Sequence, residues 1–318
     1  MIQTKTTNPG AIYFTPAESG KNWIEYVKHI NDGDGIRWAT RKMNDHILPL
    51  RAGKIAAILA LPGNGKSTFA VEMARRYAEG LRSAGDTEQA VLYVTVDQPQ
   101  EEIASMVYAT REHTVTDFVS GKVDEATATR IAVSNVDLPF YIAGRSVISQ
   151  RTDQPRLTYE NIELGIKEMW KHVHRRPALI VVDYLQSIPI EGRFNERTQR
   201  VTEAIVKSRE LCLTEKIPMV LCVQATRESR DREIKIPTAQ DCQWSSAIEQ
   251  EADVILGLWR PKTTELDRTE ITLKSHHIPI TPELMLVGLV KQRMKAAGMI
   301  FALHFNMGSF EVQDMELL

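Results

Sequence analysis

Apolar and polar positions along this chain form blocks that predict strands separated by helices. From residue 54 onward, short runs rich in Val, Ile, Leu and Ala recur. The five runs are KIAAILA, AVLYVTVD, ALIVVDYL, PMVLCVQA and ADVILGLW. Continuous apolar runs of this kind are typical of parallel strands that are buried on both faces. The pattern therefore predicts an α/β fold with a mostly parallel sheet flanked by helices.

Helices are expected between these runs, and the tail has a different pattern. Three helices are predicted. The first extends from Gly65 to about Leu81, the second begins at about Gln100, and the third extends from about Asn195 to Lys216. After the fifth run, a turn at KAAG joins the segments LMLVGLVKQR and MIFALHF, and SFEVQ follows them. This order predicts a C-terminal antiparallel hairpin with one further strand.

The first part of the chain predicts one short helix, because its apolar residues recur at i, i+3, i+4 and i+7 and would form one face. The residues of that face are Trp23, Tyr26, Val27 and Ile30. The sequence GDG at 33–35 ends the helix. We therefore expect an N-terminal arm over residues 1–34 and a core domain over residues 35–318. The spacing allows the helix to pack on its own core or on a neighbouring subunit.

Composition excludes several classes of protein. The chain has 318 residues, of which 43% are hydrophobic and 25% charged, so a sizeable core is expected rather than disorder. The net charge of -2 gives no overall basic field, and nucleic-acid binding would need a local patch or a surface made by assembly. No signal peptide or membrane-spanning run is evident, so a cytoplasmic protein without a membrane partner is expected. Its three cysteines lack the spacing of a metal site.

The segment AILALPGNGKSTFA at 57–70 predicts a phosphate-binding loop between a strand and a helix. Glycines let backbone N–H groups converge on phosphate oxygens, and the start of the following helix adds positive potential. Lys66 would reach the β- and γ-phosphates, and the Ser67 hydroxyl would ligate Mg²⁺. The usual pattern begins with Gly, where this chain has Ala60. The predicted nucleotide-binding residues are Pro62, Gly63, Asn64, Gly65, Lys66, Ser67 and Thr68.

Three polar side chains close predicted strands, at the edge where open α/β sheets bind ligands. Asp183 ends ALIVVD and is the predicted Mg²⁺ partner, although an Asp there can also be an ordinary strand-end residue. Asp97 ends LYVTVD and either polarises the water that attacks a γ-phosphate or caps the helix after Pro99. Gln224 ends PMVLCVQ and either senses the γ-phosphate or bonds to local backbone.

Two cations lie near the end of the first tail strand. Lys291 and Arg293 are two residues apart, so both point to one face of the strand while Gln292 points to the other. They could serve a phosphate or be solvated charges at an edge.

Several segments together resemble the C-terminal ATPase domain of DnaB-type replicative helicases, within the RecA-like class. The entry segment of that family resembles DGIRWATRKMNDHILPLRAGKIAAILALPGNGKSTFA. In that family Ala is common at the first position of the phosphate loop, where this chain has Ala60. Its catalytic-acid segment is similar to VTVDQPQEE, its Walker B strand to LIVVDYLQSI and its glutamine strand to VLCVQATR. Its DNA-loop region is similar to DCQWSSAIEQEADVILGLWR, and its finger hairpin to LVKQRMKAAGMIFALHF. The resemblance covers roughly residues 35–312.

The resemblance implies a RecA-like P-loop ATPase that forms a ring, most commonly a hexamer, around single-stranded DNA. ATP and Mg²⁺ would bind between subunits, with Ser67 and Asp183 at the metal. Lys291 and Arg293 would reach the γ-phosphate that the adjacent subunit binds. The implied catalytic set is Asp97, Lys66, Gln224, Lys291 and Arg293.

The chain departs from the family pattern at three places. The catalytic acid is usually Glu, whereas Asp97 is one methylene shorter, so hydrolysis could be slower. Gln243 and Trp244 replace an Arg-Glu pair in the DNA-loop segment; Gln could bond a phosphate, and Trp could stack on a base or pack within the protein. Only about 34 residues precede the core, so the family's helical N-terminal domain, which recruits primase, is not expected in this sequence.

Basic residues after the Walker B strand predict DNA contacts. Arg193, Arg197 and Arg200 would share one helix face, which could line a channel or be solvated. The full predicted DNA-binding set is Arg193, Arg197, Arg200, Arg227, Gln243 and Trp244.

These observations predict a DNA replication helicase of a phage, plasmid or mobile element that hydrolyses ATP, translocates on single-stranded DNA and unwinds duplex. A loader or replication-initiation protein would be a further partner. Two alternatives remain at this point: a slowly hydrolysing, nucleotide-dependent filament or scaffold on DNA, related to recombinases, and a regulatory ATP-binding ring that acts on protein partners.

Overall fold

The computed structural model describes residues 14–149, 156–190, 196–226, 232–242, 246–262, 269–273 and 276–315. The chain divides into two units, Met1–Ile36 and Arg37–Leu318. The division falls two residues after the boundary that the sequence predicts.

The first unit contains helix α1 (Pro16–Asn31). Thr15 caps its start: the Glu18 backbone N–H donates to the Thr15 hydroxyl, and the Thr15 backbone N–H donates to the Glu18 carboxylate at 2.8 Å. Pro16 occupies the first helical position, where a missing N–H costs nothing. The local sequence TPAE is therefore sufficient to fix where this helix begins.

The second unit is built on a nine-stranded sheet in the described part of the chain. Its strands are β1 (Ile55–Ala60), β2 (Gln89–Thr95), β3 (Phe140–Ala143), β4 (Arg176–Asp183), β5 (Met219–Gln224), β6 (Val254–Trp259), β9 (Leu284–Gln292), β10 (Ile300–Phe305) and β11 (Val312–Asp314). Their order in the sheet is β11-β10-β9-β6-β1-β5-β4-β2-β3. All pairs from β6 across to β3 are parallel, and β9, β10 and β11 continue the sheet beyond β6 as antiparallel strands. The predicted parallel sheet with a C-terminal antiparallel part is thereby confirmed.

Burial explains why the central strands have continuous apolar sequences. All six residues of β1 and all six of β6 are buried, and β5 exposes only part of its last residue. The helices of this unit are α2 (Arg41–His46), α3 (Lys66–Ser83), α4 (Gln100–Tyr108), α5 (Val115–Val119), α6 (Glu125–Ser134), α7 (Tyr159–Val173), α8 (Arg197–Thr214) and α9 (Ala247–Glu251). Capping residues mark several of their starts: Thr40 caps α2, Asp124 caps α6 and Thr158 caps α7.

A small antiparallel hairpin of β7 (Glu270–Leu273) and β8 (His276–Pro279) lies between β6 and β9 in the sequence. Its two inward residues, Ile271 and Ile278, are fully buried and pack in a cluster with Trp259 and Leu284. The hairpin therefore adds a second, smaller apolar cluster next to the antiparallel part of the sheet.

Candidate nucleotide-binding site

A cavity of about 420 Å³ opens at the carboxyl ends of the parallel strands. β1, β5, β4 and β2 are neighbours in the sheet and run in the same direction, so the residues that follow them meet at one edge. The cavity is lined by Ala60, Leu61, Pro62, Gly63, Gly65, Lys66, Ser67, Thr68, Asp97, Gln98, Met106, Asp183, Tyr184, Gln224 and Met307. Polar residues that are far apart in the sequence are thereby brought to one place.

The loop between β1 and α3 has the backbone that a phosphate cradle needs. Gly63 and Gly65 have φ values of 77° and 79°, in the left-handed region that favours glycine. A Cβ on Gly65 would also lie 2.8 Å from the Met285 side chain. Asn64 does not line the cavity, and its Oδ1 accepts the backbone N–H of Arg260 at 2.9 Å. This bond ties the loop to the end of β6.

Lys66 and Asp183 form a buried ion pair at the base of the cavity. The Lys66 ammonium lies 2.7 Å from the Asp183 Oδ1, with 13% and 5% of the side chains exposed. Burial alone would lower the pKa of Lys66, but the negative charge and hydrogen bond of Asp183 oppose it, and the pKa lies above its ordinary value. Burial alone would raise the pKa of Asp183, but Lys66, together with the Ser67 hydroxyl, lowers it. Both groups are therefore charged at neutral pH.

Two further side chains contact Asp183, and sequence reasoning missed both. Tyr93 on β2 donates its hydroxyl to the Asp183 Oδ2 at 2.8 Å, and the Cys222 thiol on β5 also donates to this carboxylate. Burial first, and the negative Asp183 second, raise the pKa values of Tyr93 and Cys222 well above their ordinary ranges, so both remain protonated donors. The available signal was a polar atom within each apolar run, LYVTVD and VLCVQ.

Asp97 lies between β2 and α4 and lines the cavity. It does not cap α4: the N-cap position is Pro99, and no side chain accepts a hydrogen bond there. The two acids that follow are engaged elsewhere. The Ser146 hydroxyl donates to Glu101 and lowers its pKa to about 2, while Glu102 accepts the Gln98 amide at 3.2 Å. Asp97 is therefore the acid of this segment that faces the cavity.

Gln224 ends β5 and also lines the cavity. Its backbone is fixed by Gln186, a buried residue of the short 3-10 helix after β4. The Gln186 side chain accepts the Gln224 N–H and donates to the Gln224 carbonyl, both at 3.3 Å. The Arg200 guanidinium donates to the Gln186 carbonyl at 3.2 Å, which joins the first turn of α8 to the same place.

Lys291 and Arg293 both contact the last turn of α9. The Lys291 ammonium donates to the Glu249 carbonyl, and the Arg293 guanidinium donates to the Gln250 carbonyl at 2.5 Å. Gln292 between them bonds in a different direction, to backbone groups near α2. Burial, and then the like charge of Arg293, lower the pKa of Lys291.

These two cations lie at the opposite end of the sheet from the phosphate loop. The Arg293 guanidinium is 3.6 Å from the Asp253 carboxylate, which in turn accepts the backbone N–H of Ile55 at 3.0 Å. Ile55 is the first residue of β1, whereas the phosphate loop follows Ala60, the last. The whole length of β1 therefore separates the cations from the loop of the same chain.

Most of the predicted DNA contacts lie outside the described residues. These are Arg193, Arg227, Gln243 and Trp244, and Arg197 is described only as the first residue of α8. α9 begins three residues after Trp244. The segment expected to contact DNA is thus continuous with the helix that contacts Lys291 and Arg293.

The donor set suits Mg²⁺ held together with a nucleotide. Magnesium in such sites is bound by one or two protein oxygens and completed by phosphates and water. Ser67 and Asp183 supply a hydroxyl and a carboxylate next to the phosphate loop. Elsewhere among the described residues, no three His, Cys, Asp or Glu side chains are grouped as metal ligands would be. Nor does any described helix have the length and apolar character needed to cross a bilayer.

Comparison with solved structures shows the same fold. One solved ATPase domain superimposes with a TM-score of 0.75, at 15% identity, covering 97% of this chain and all of that one. A DnaB-like replicative helicase whose structure was solved with its primase interactions gives a TM-score of 0.73, also at 15% identity, over 97% of this chain and 68% of that one.

Comparison of sequences identifies the family. The replicative DNA helicase DnaB of Leifsonia xyli is 28% identical over 77% of this chain and 51% of its own length. A probable plasmid replicative DNA helicase of Chlamydia psittaci is 26% identical over 78% of this chain and 53% of its own length. The chain thus spans about half the length of the curated relatives it matches. A model of the DnaB-like helicase C-terminal domain matches residues 35–311, most of the chain, and the chain therefore belongs to that family.

Proposed function

We propose that this chain is the ATPase part of a ring-forming DNA helicase, which hydrolyses ATP between subunits, moves along single-stranded DNA and separates duplex. One observation carries the proposal: Lys66, Asp97, Asp183 and Gln224 come from four separate segments and line a single cavity beside the phosphate loop. A cation, two acids and an amide at one edge of a parallel sheet form a constellation suited to phosphoryl transfer to water.

Each residue has a distinct role in this proposal. The loop amides at Gly63 and Gly65, with Lys66, bind the phosphates of ATP. Ser67 and Asp183 bind Mg²⁺, which neutralises charge on the phosphate oxygens when bound. Because Lys66 contacts Asp183, its ammonium already lies beside the proposed position of the metal and the phosphates.

Asp97 and Gln224 act on the attacking water. A carboxylate within hydrogen-bond reach accepts the proton of the water as it attacks, so Asp97 is the general base. The Gln224 amide, fixed through its backbone by Gln186, orients the water or senses the γ-phosphate.

Lys291 and Arg293 complete the site of the adjacent subunit. A six-residue strand spans roughly 17–20 Å, which is longer than an extended lysine or arginine side chain. In their own chain these cations therefore cannot reach the phosphate loop. Assembly of subunits in a closed ring, proposed to be a hexamer, would bring them to a neighbour's γ-phosphate and stabilise the charge that develops there.

DNA is proposed to bind the segments that precede α8 and α9. α9 begins three residues after Trp244, and the Glu249 and Gln250 carbonyls in it accept hydrogen bonds from Lys291 and Arg293. A movement of this segment on DNA would thus shift Lys291 and Arg293, which are proposed to act at the next subunit. The similarity to a probable plasmid replicative helicase supports a role in replicating a plasmid, phage or mobile element.

The second candidate is a slowly hydrolysing scaffold on DNA. Asp97 favours it, because a shorter acid reaches less far toward the water. The two candidates differ in turnover and in the response to DNA.

The test is ATP hydrolysis by the purified chain with and without single-stranded DNA. Lys66→Ala is the inactive variant, and Lys167→Ala, at an exposed lysine of α7, is the matched control. Turnover that DNA raises, that Lys66→Ala abolishes and that Lys167→Ala leaves unchanged supports the helicase. Tight ATP binding with little turnover in either condition refutes it in favour of the scaffold.

A further inference from the structure

The two oxygens of the Asp183 carboxylate have different partners. Oδ1 faces the phosphate loop and lies 2.7 Å from the Lys66 ammonium. Oδ2 accepts the hydroxyl of Tyr93 at 2.8 Å, from the neighbouring strand β2. The Tyr93 bond therefore sets which oxygen is presented to the loop.

The two partners differ in how firmly they are placed. Tyr93 is fully buried, and its ring stacks on Phe140, with centroids 5.9 Å apart and planes at 22°. A tyrosine has only two side-chain torsions, so this packing fixes the position of the hydroxyl. Lys66 is long and flexible, and in the proposed function it turns to the phosphates. Tyr93 and the buried Cys222 thiol then remain as donors to Asp183, and the Tyr93 hydroxyl is the stronger donor of the two because a thiol donates only weakly.

We propose that Tyr93 is a positioning residue for Mg²⁺: its hydroxyl holds the Asp183 carboxylate in the orientation that binds the metal, and it touches neither metal nor nucleotide. The inference rests on the proposed ATP and Mg²⁺ site. Loss of a hydrogen bond behind a metal ligand typically costs about 10–100-fold in metal affinity or activity. Tyr93→Phe removes the hydroxyl and keeps the ring that stacks on Phe140.

Tyr159 provides a matched control within the same chain. It is also buried, and its hydroxyl pairs with Ser208 between α7 and α8, in a place that does not line the nucleotide cavity. Tyr159→Phe therefore removes a buried, hydrogen-bonded hydroxyl without touching Asp183. Any general cost of losing such a group appears in both variants.

The experiment measures Mn²⁺ binding by electron paramagnetic resonance in the presence of ADP, together with the Mg²⁺ concentration that half-saturates ATP hydrolysis. We expect Tyr93→Phe to raise both metal concentrations about tenfold. Nucleotide affinity in EDTA and turnover at saturating Mg²⁺ should match those of Tyr159→Phe.

Two results would overturn the inference in distinguishable ways. Equal metal affinity in Tyr93→Phe, Tyr159→Phe and the parent chain would remove the role of Tyr93 and leave the proposed function standing. Failure of the parent chain to bind Mn²⁺ with nucleotide would remove the inference and the proposed site together.

Discussion

Asp253 joins three parts of the second unit, and its replacement by alanine should destabilise the fold. Asp253 is buried, with 4% of the residue exposed. Its Oδ2 accepts the Ile55 backbone N–H at 3.0 Å and the Arg209 guanidinium at 2.9 Å, while its Oδ1 accepts the Lys54 ammonium at 3.2 Å. Asp253→Ala therefore leaves a buried N–H at the start of β1 and a half-neutralised guanidinium on α8.

The size of the effect follows from these contacts. A buried N–H without a partner costs about 1–3 kcal/mol, and a hydrogen bond to a charged group contributes about 1.5–3 kcal/mol. In the variant, Arg209 still contacts the Glu251 carboxylate and the Gly53 carbonyl. The loss of its bond to Asp253 should therefore cost an amount at the lower end of the second range. The Lys54 side chain is 44% exposed, and its ion pair adds little. We expect the free energy of unfolding to fall by about 3 kcal/mol.

Urea unfolding at a fixed protein concentration, followed by circular dichroism, measures this change. Asp137→Ala is the control, because Asp137 pairs with Arg82 at 3.3 Å but is 66% exposed, and its loss should cost about 0.5 kcal/mol or less. Equal shifts in the two variants would refute the reasoning that burial makes the Asp253 contacts strong.

The same variant tests a dependence on pH. Burial alone would raise the pKa of Asp253, but the Ile55 N–H and Arg209 outweigh it, so the folded-state pKa lies below the ordinary 3.8. The stabilisation by this carboxylate is therefore fully present above about pH 4. It should shrink as the pH falls below 3.8 through the folded value, and the difference between Asp253→Ala and the parent chain should shrink with it.

Two further predictions concern the proposed catalytic residue Asp97 and the core. Asp97→Glu keeps the carboxylate and adds one methylene, so it should raise the turnover of ATP hydrolysis, whereas Asp97→Asn should lower it about 100-fold or more; no gain with Glu would show that reach does not limit the rate. Gly257→Ala would place a Cβ 2.2 Å from the Pro237 carbonyl and should lower the free energy of unfolding by about 1–3 kcal/mol. Gly165→Ala on α7, where nothing lies within 4 Å, should raise it by about 0.5–1 kcal/mol; urea unfolding of both variants checks the contrast, and effects of the same sign would contradict it.

The sequence predicted those elements whose residues are buried on both faces. β1, β4, β5 and β6 are continuous apolar runs because almost no part of them reaches water, and such runs stand out from their surroundings. β3 was not predicted: it has four residues, lies at the edge of the sheet and is only half-buried throughout. An edge strand needs less apolar sequence, so its pattern is weak.

The order of the strands could not be read from the apolar runs. β5 follows β4 in the sequence but lies between β4 and β1 in the sheet, as a result of pairing between distant segments. The sequence nevertheless predicted that the strand-end residues would meet, because the carboxyl ends of parallel strands share an edge in any order.

Contacts that depend on which strands pair could not be predicted from the sequence. Tyr93 contacts Asp183 because β2 pairs with β4, a contact across 90 positions. In the same way, antiparallel pairing of β9 with β6 brings Lys291 opposite Ile255, at the far end from the phosphate loop. The sequence predicts that Lys291 and Arg293 share a face, but only the register shows that this face is remote from the loop of the same chain. In the proposed function these cations can act in hydrolysis only at the site of a second copy, so the register supports the proposed assembly of subunits.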